Sequence, residues 1–277
     1  MGGEKSRKGA GEFMTGAQVY TLLPALSLGR RELVRFYRQK ARIIGSIGTP
    51  IVLWALLGSG LQAAFPTTAG NSNPVNYLKY FFPGSLVLTM LFTSIFTNIS
   101  VIEDRNEGFL QGVLVAPVTR WGLVMGKVGG GATIALIQGM FFLFLAPVAG
   151  ISLSVGAFIQ LIFALMVSSI CLTTLGFIFA WRLDSIQGFH SVMNLILMPM
   201  WLLSGAFFPA SRAPLILKIV IYLNPLTYGF SAIQASLQGH LLSSSILTFY
   251  SALAIEVLFC VLLSLVAVWV VSSRKKG

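Results

Sequence analysis

The densest group of ionisable side chains outside the N-terminus lies in residues 103–120. Three of the chain's eight acidic residues, Glu103, Asp104 and Glu107, fall within five positions of this segment. Their carboxylates can pair with basic residues of the same region, which would make the segment an ordinary solvated loop. The basic residues that lie close in sequence are Arg105, Arg120 and Lys127.

The same segment carries a short apolar face. Phe109, Val113 and Leu114 recur at helical spacing, and Pro117 is expected to end this helix because its ring prevents continuation. A helix with one apolar face and charged flanks is suited to binding in a groove of a partner protein. Two interpretations therefore stand, a solvated loop and a docking helix, and the apolar face favours the second.

A single acidic residue, Glu256, lies inside an otherwise apolar run. A charge at the centre of a membrane helix costs about 2.5–3.5 kcal/mol, so a paired or functional role is the default expectation. The alternative is a carboxyl that reaches water or a Ser or Thr of a neighbouring helix. The sequence favours neither of these two interpretations.

Other patterns that could support catalysis or metal binding are incomplete. Residues 122–128 resemble a phosphate-binding loop, but the spacing is one residue short and Val128 replaces the Ser or Thr that holds magnesium. His190 and His240 are expected on opposite sides of a membrane, so they cannot share a metal ion. No G-x-S-x-G or H-E-x-x-H motif is present. We therefore expect no catalytic residue, no metal site and no ATP hydrolysis by that route.

Composition predicts the elements that position these residues. Of 277 residues, 56% are hydrophobic and 10% are charged, with a mean hydropathy of +0.84. Soluble domains carry about 25% charged residues, so an all-α polytopic membrane protein is predicted and a cytosolic enzyme is excluded. The glycine run 129–131 is expected to permit close helix approach. Six apolar stretches are long enough to cross a membrane, at residues 43–65, 80–102, 123–150, 155–181, 189–209 and 246–271.

The basic residues predict an orientation with both termini in the cytoplasm. Of the 19 Lys and Arg residues, only Lys79, Arg212 and Lys218 would then lie outside, as the positive-inside rule requires. This bias accounts for the net charge of +11 without a nucleic-acid partner. We predict a multi-pass protein of the cell membrane, which in a bacterium is the inner membrane.

Residues 1–16 are predicted to be a disordered leader or an added tail, followed by a single membrane domain, 17–277. Between Gln18 and Arg42, apolar residues recur at helical spacing and four arginines share one stripe. This pattern predicts an amphipathic helix in the membrane interface, in contact with lipid head groups, with Gly29 as a candidate break. The helix is either a topology anchor or an anchor that also docks a cytoplasmic partner. The stripe consists of Arg31, Arg35, Arg38 and Arg42.

Residues 210–245, between the fifth and sixth spans, are apolar but interrupted by prolines. Residues 216–223 are too short to cross a membrane and too apolar for a solvated loop, which predicts short re-entrant or interfacial outer helices. These helices form either an outer gate on a pathway or a packed cap. The gate candidates are Phe207, Phe208, Pro209, Asn224, Pro225 and Tyr228.

Three fragments, in this order on a six-span frame, resemble the ABC type-2 transporter permeases, in particular the daunorubicin-resistance and nodulation-type exporters. The resemblance extends from about Tyr20 over nearly the whole chain. Many members have an acidic residue and an arginine where this chain has Ser231 and Gln234, so the outer salt bridge of such a pair is in question. The fragments are Arg30-Arg31-Glu32-Leu33, then Glu103-Asp104-Arg105-Asn106-Glu107-Gly108 with Pro117, Arg120 and Gly126-Lys127, and finally Gly205-Ala206-Phe207-Phe208-Pro209 with Asn224-Pro225-Leu226-Thr227-Tyr228.

The resemblance implies a permease that dimerises and recruits two copies of a separate nucleotide-binding subunit. That subunit would bind ATP and magnesium, and this chain would carry no cofactor. The resemblance also implies that the amphipathic helix and the loop after the second span contact that subunit. The residues that inherit this coupling role by position are Arg31, Arg35, Glu103, Asp104, Arg105, Glu107, Gly108, Phe109, Leu114, Pro117, Arg120 and Lys127.

The expected function is therefore export of an amphipathic substrate, such as a drug, a lipid or a lipid-linked glycan, by a subunit that is not itself an enzyme. One alternative is an ion-coupled transporter that works through Glu256. Another is a membrane assembly or sensor protein that transports nothing.

Overall fold

The computed structural model describes residues 21–64, 77–206, 214–238 and 248–273, and these residues are almost entirely helical. The predicted leader, 1–16, lies outside the described residues. In chain order the helices are α1 (Leu22–Arg38), α2 (Lys40–Ala64), α3 (Tyr77–Asn106), α4 (Phe109–Val115), α5 (Arg120–Leu143), α6 (Val155–Arg182), α7 (Ile186–Trp201), α8 (Leu215–Leu223), α9 (Pro225–Gln238) and α10 (Phe249–Ser273).

Six helices are long and apolar enough to cross a membrane, which confirms the predicted all-α polytopic fold. They are α2, α3, α5, α6, α10 and α7, the last extended by a π-helical turn, Leu202–Ala206. The third span differs most from its predicted range, 123–150, because α5 ends at Leu143. Residues 144–150 form turns instead. The ring of Pro147 would meet the carbonyl of Leu143 in a continued helix.

Helix α3 lies at the centre of the bundle. Of its most apolar stretch, 89% is buried within the protein, against 22% for the first, fifth and sixth spans. Hydroxyls of Thr93 on α3 and Ser46 on α2 donate to Oε1 of Gln138 on α5, at 3.4 and 2.8 Å. Another α3 hydroxyl, of Ser94, lies 3.1 Å from that of Thr173 on α6. Because lipid competes poorly for such hydrogen bonds, they help to hold α2, α5 and α6 against α3.

Helix α1 packs lengthwise along the first half of α5. Gly126 and Gly130 of α5 face α1. Within the predicted run 129–131, Gly130 approaches α1 closely and Gly131 approaches α3 and α6, whereas Gly129 has no neighbour within 4 Å of its Cβ position. A Cβ built on Gly130 would lie 3.0 Å from Cα of Gly29 and 2.9 Å from Cβ of Glu32. The expected break at Gly29 does not occur, because this glycine lies against α5 within a continuous helix. The break falls at residue 39, between α1 and α2.

The helices between the fifth and sixth spans form a bent pair. Helices α8 and α9 meet at 82° across Asn224. Helix α9 packs between α6 and α10, whereas most of α8 is exposed or half-buried. This arrangement agrees with the short re-entrant or interfacial helices predicted for 210–245, of which residues 210–213 and 239–245 lie outside the described part of the chain.

The substitution Gly130→Ala is expected to loosen α1 from α5, because the added methyl group would overlap Gly29 and Glu32. Overpacking of this kind costs about 1–3 kcal/mol. Thermal unfolding of the detergent-purified protein measures the loss. Gly129→Ala is the matched control, since nothing lies within 4 Å of a Cβ at that position. Equal melting temperatures for the two variants would contradict the close α1–α5 contact.

Candidate functional site

Asp104 is the centre of the charged cluster. It lies near the end of α3, and its side chain is fully buried. Arg31 of α1 donates to both carboxylate oxygens at 2.7 Å, and this hydrogen bonding raises the pKa of the Arg31 guanidinium. Arg35 donates to Oδ1 at 2.6 Å, and Lys127 of α5 donates to Oδ2. A buried carboxylate requires such partners, because an unpaired charge away from water costs several kcal/mol.

Two further carboxylates extend this cluster into a network. Glu32 of α1 is buried and accepts a hydrogen bond from Lys127 at 2.5 Å. Glu103 pairs with Arg42, at the start of α2, at 2.5 Å and with Arg35 at 2.8 Å. Charge-assisted hydrogen bonds of this kind are the strong ones in proteins. The network therefore joins α1, α2, α3 and α5 at one end of the bundle.

The ion pairs of residues 103–120 differ from those that the loop interpretation predicts. Asp104 does pair with Lys127, as the loop interpretation allows, but most partners come from α1 and α2.

Glu32 and Arg42 were not among the predicted site residues. A signal for Glu32 was available, because it is the one acidic residue between Glu12 and Glu103 and follows two arginines. Its partner lies 95 positions away, where no local spacing could reveal it.

Arg105 lies outside this network and caps α6. It donates to the carbonyls of Trp181 and Leu183 at 2.5 and 2.9 Å, and it pairs with Asp184 at 3.0 Å. These carbonyls are among the groups that a helix C-terminus leaves without hydrogen-bond partners. A cation there also interacts favourably with the negative end of the helix dipole. Arg105 therefore connects α3 to α6, whereas its neighbour Asp104 connects α3 to α1 and α5.

The chain turns from α3 into α4 at Gly108. Its φ is +78°, a left-handed conformation that favours glycine. The turn places Leu110 in the core and Phe109 under the guanidinium of Arg31, 3.9 Å from the ring centroid. Because Arg31 also binds Asp104, α4 is attached to the ion-pair network through this cation–π contact.

The far end of α4 is exposed. Val113 packs against the core, but Leu114 is 37% exposed and Val115 is 89% exposed. The helix ends at Val115, two residues before Pro117, as predicted. Arg120 begins α5, half-buried and without an ion pair among the described residues. Both residues lie in the predicted coupling stretch, 109–117, and Val115 is the more exposed of the two.

An open groove of about 720 Å³ lies between α1 and the turn after α3. Arg30 and Arg38 are exposed within it and form no ion pair with any described residue. Glu107, with a 61% exposed side chain, lies at its edge. This surface, termed the arginine groove, can therefore bind acidic groups. Its lining consists of Ser27, Arg30, Arg31, Val34, Arg35, Arg38, Gln39 and Glu107.

Asn224 holds the corner between α8 and α9. Its Oδ1 accepts from the backbone N–H of Leu226 at 3.0 Å, and its Nδ2 donates to the carbonyl of Met200 on α7 at 2.6 Å. Pro225 occupies the first position of α9, where a backbone N–H would have no acceptor within the helix, so the proline costs no hydrogen bond. The fragment that begins with Asn224-Pro225 therefore forms a helix corner tied to the fifth span.

Tyr228 attaches this corner to the last span. Its hydroxyl donates to the carbonyl of Tyr222 at 2.7 Å, and its ring stacks on Phe259 of α10 with 5.7 Å between centroids. A gate role for these residues stays a prediction. The other gate candidates lie outside the described residues: Phe207, Phe208 and Pro209.

Glu256 is buried where α10 meets α6 and α9. Ser168 of α6 donates to its Oε1 at 2.5 Å, and its Oε2 has no hydrogen-bond partner in the described part of the chain. Gly229 of α9 lies so close that a side chain there would overlap the carboxyl. A hydrogen bond to the serine of a neighbouring helix is one of the two arrangements that the sequence allowed.

The sequence profile of the ABC-2 type transporter family matches residues 25–237. The chain belongs to this family. The putative transport permease ycf38 of Cyanophora paradoxa is 30% identical over 230 residues, which cover 81% of this chain and 79% of that protein. Nodulation protein J of Rhizobium leguminosarum bv. viciae is 24% identical over 204 residues, with 72% and 76% covered. The probable multidrug ABC transporter permease YbhR of Escherichia coli is 30% identical over 171 residues, with 56% and 43% covered.

Membership in the ABC-2 type transporter family confirms the resemblance drawn from the three fragments. The protein is accordingly a multi-pass membrane protein of a transport permease family, and the family implies an ATP-binding subunit in the transporter. The matched range begins within α1 and ends within α9. It therefore contains the ion-pair network, α4 and the helix corner, whereas Glu256 lies beyond it.

Asp104→Asn is expected to destabilise this ABC-2 permease by about 3–5 kcal/mol, because it leaves buried cations without their carboxylate. Glu107→Gln makes the same chemical change on an exposed side chain and should cost less than about 1 kcal/mol. Thermal unfolding of both purified variants measures the difference. If the two melting temperatures fell equally, Asp104 would not be the centre of a buried network.

Proposed function

We propose that this chain is the membrane-spanning permease subunit of an ABC exporter. It moves an amphipathic substrate, such as a drug, a lipid or a lipid-linked glycan, outward with ATP hydrolysed by a separate subunit. The observation that carries this proposal is the ion-pair network, which links the exposed elements α1 and α4 to three membrane spans. One relative is a probable multidrug ABC transporter permease, and a drug is a substrate of this kind.

The ATP-binding subunit would dock on the arginine groove and on the exposed end of α4. Arg30 and Arg38 offer two cations that are not neutralised by described residues. Leu114 and Val115 offer apolar surface next to charged residues, which is the anatomy of a protein interface. A partner surface with acidic side chains around an apolar pocket would complement both features.

Movement of the docked subunit would reach the spans through Arg31. This guanidinium contacts Phe109 of α4 on one side and Asp104 of α3 on the other. Separating Arg31 from Asp104 would remove a partner from a buried carboxylate, which is costly, and the cation–π contact attaches α4 to the same guanidinium, so α1, α3 and α4 are expected to move together. Lys127 extends the same constraint to α5. ATP can drive the change only if these contacts, or those to the partner, differ between the two states.

Transport would require two copies of the chain, with the pathway at their interface. The first, fifth and sixth spans bury only 22% of their most apolar stretches within one copy. Their remaining apolar surface is available to lipid or to the second copy. This homodimer is part of the proposal.

Val115→Asp is expected to weaken binding of the co-expressed ATP-binding subunit by tenfold or more, because a charge at an interface anchor costs about 2 kcal/mol. Affinity purification of the permease, followed by quantification of the co-purified ATPase activity, measures the loss. Val148→Asp is the matched control, since Val148 is 69% exposed in the turns beyond the other end of α5.

Undiminished binding by Val115→Asp would remove α4 from the docking surface. If the normal chain recruited no ATP-binding subunit at all, the sensor or assembly alternative would replace the exporter. Glu103 is unsuitable for such a test, because it forms ion pairs with Arg35 and Arg42 within the protein, and its substitution would also disturb the fold.

The ion-coupled alternative is favoured by one observation, the buried Glu256 with an unpartnered Oε2. Glu256→Gln keeps the size of the side chain and can still accept the Ser168 hydrogen bond, but it cannot release a proton. In the exporter, ATPase activity of the reconstituted complex should be unchanged, and Ser168→Ala, which removes only the hydrogen bond, should behave alike. Loss of proton uptake into vesicles by Glu256→Gln, measured with a pH-sensitive dye, would instead support ion coupling.

A further inference from the structure

A small apolar pocket opens beside the corner between α1 and α2. Helix α1 ends at Arg38, and α2 then leads away to pack mainly against α3. The space between α2 and α5 beyond this corner is therefore left uncovered. It forms a pocket of about 180 Å³. An apolar cavity of about 150 Å³ is large enough to hold one benzene molecule.

The walls of this pocket are aromatic rings and branched apolar side chains. The rings are those of Phe36, Tyr37 and Phe141. Tyr37 is 60% exposed and Phe141 is 62% exposed. Since Phe141 belongs to a membrane span, the pocket opens sideways, where an apolar molecule can enter from the lipid. The other apolar side chains of the walls are Ile43, Ile47, Ile134 and Ile137.

Gln138 is the polar exception in this lining. Its side chain is buried, and its Oε1 accepts from the hydroxyls of Ser46 and Thr93, at 2.8 and 3.4 Å. Its Nε2 donates to no acceptor among the described residues. Because a buried donor without a partner costs about 1–3 kcal/mol, the pocket favours an occupant that brings an acceptor to this amide.

The unpartnered amide disfavours the simpler occupants. A lipid acyl chain would fill the space but would bring no acceptor to Nε2. A water molecule needs about two to four polar partners, and the rest of the lining offers only the exposed phenol of Tyr37. A ring with a carbonyl group meets both requirements, because the ring packs against aromatic walls and the carbonyl accepts from the amide.

We propose that this pocket is a binding site for a small, neutral aromatic compound with a carbonyl oxygen. The carbonyl accepts a hydrogen bond from Nε2 of Gln138, and the ring lies among the aromatic and isoleucine side chains. Such a ligand contacts α1, α2 and α5 together. Ile43 of the wall directly follows Arg42, which pairs with Glu103, so the ligand stabilises the corner that the ion-pair network holds. This assignment does not depend on the proposed function, because it concerns binding and not transport.

The test uses the full chain in lipid nanodiscs, with benzophenone as the probe. On irradiation, the excited carbonyl abstracts a hydrogen atom from a neighbouring C–H group and the two radicals combine, so the labelled peptide gains the mass of one benzophenone. Peptide mass spectrometry then locates the label. We expect it within residues 134–141 and 43–47, and we expect methyl benzoate, which also has a ring and a carbonyl, to compete for labelling.

A matched pair of competitors tests the role of the carbonyl. Propylbenzene has nearly the shape of methyl benzoate but no hydrogen-bond acceptor. At equal concentrations in the membrane, methyl benzoate should compete about fivefold better, the change that corresponds to about 1 kcal/mol for one hydrogen bond. Gln138→Leu should remove this preference. Ser46→Ala, which deletes a partner of Oε1 but leaves Nε2 in place, should keep it.

A second pair of variants tests the pocket itself. Ile137→Trp fills the space and should abolish labelling of residues 43–47; Ile137 is 40% exposed, so the larger side chain can be accommodated. Ile159→Trp makes the same change on α6, where Ile159 is 51% exposed, and should leave labelling unchanged. Melting temperatures establish which variants fold. Competition on the normal chain keeps the test decisive if Gln138→Leu does not fold.

Three results would overturn the assignment. Equal competition by the two compounds would show that the pocket accepts any apolar group, such as an acyl chain. Label spread over all the spans, and unchanged by Ile137→Trp, would indicate partition into lipid only. Disulfide-linked dimers of Phe141→Cys in membranes, absent from the normal chain, would assign the pocket to a second copy. None of these readouts involves the ATP-binding subunit, so the docking test on Val115 stands or falls separately.

Discussion

The burial of Asp104 is the constraint on which the rest of this end of the molecule depends. A fully buried carboxylate at the end of a central span is tolerable only with cations at hydrogen-bonding distance. Those cations come from α1 and α5. If either helix moved away from α3, the buried carboxylate of Asp104 would lose hydrogen-bonding partners. The N-terminal helix is therefore part of the bundle, although it is too short and too polar to cross a membrane itself.

Close backbone packing makes this arrangement possible. The glycines of α5 bring α1 near enough for Glu32 to reach Lys127, and the hydrogen-bonded hydroxyls of α3 hold the other spans in place. Polar side chains determine which helices pack together, because in lipid there is no hydrophobic driving force between apolar helices. The same logic explains Glu256, whose partner Ser168 and close neighbour Gly229 bring three helices together.

For a member of the ABC-2 type transporter family, this construction has a functional consequence. Fewer residues are available to a partner than the charged segment 103–120 contains, because Asp104, Glu103 and Arg105 form ion pairs and hydrogen bonds within the protein. What stays exposed is Glu107, the end of α4 and two arginines of α1. In the proposed function, the exposed residues would therefore contact the partner and the buried ones would keep the helices together.

The sequence by itself determined the class of protein, the six spans, the short helices between the fifth and sixth spans and the family, because apolar length and short fragments are properties of contiguous residues. It also located the segment that matters, since charge is scarce in this chain. Only the tertiary structure decided which charges are buried. Asp104 and Glu107 have the same chemistry and lie three positions apart, yet one is enclosed by α1 and α5 and the other faces outward. Burial depends on every helix that packs against a residue, and those helices lie up to about a hundred positions away in the chain, where no local pattern records them.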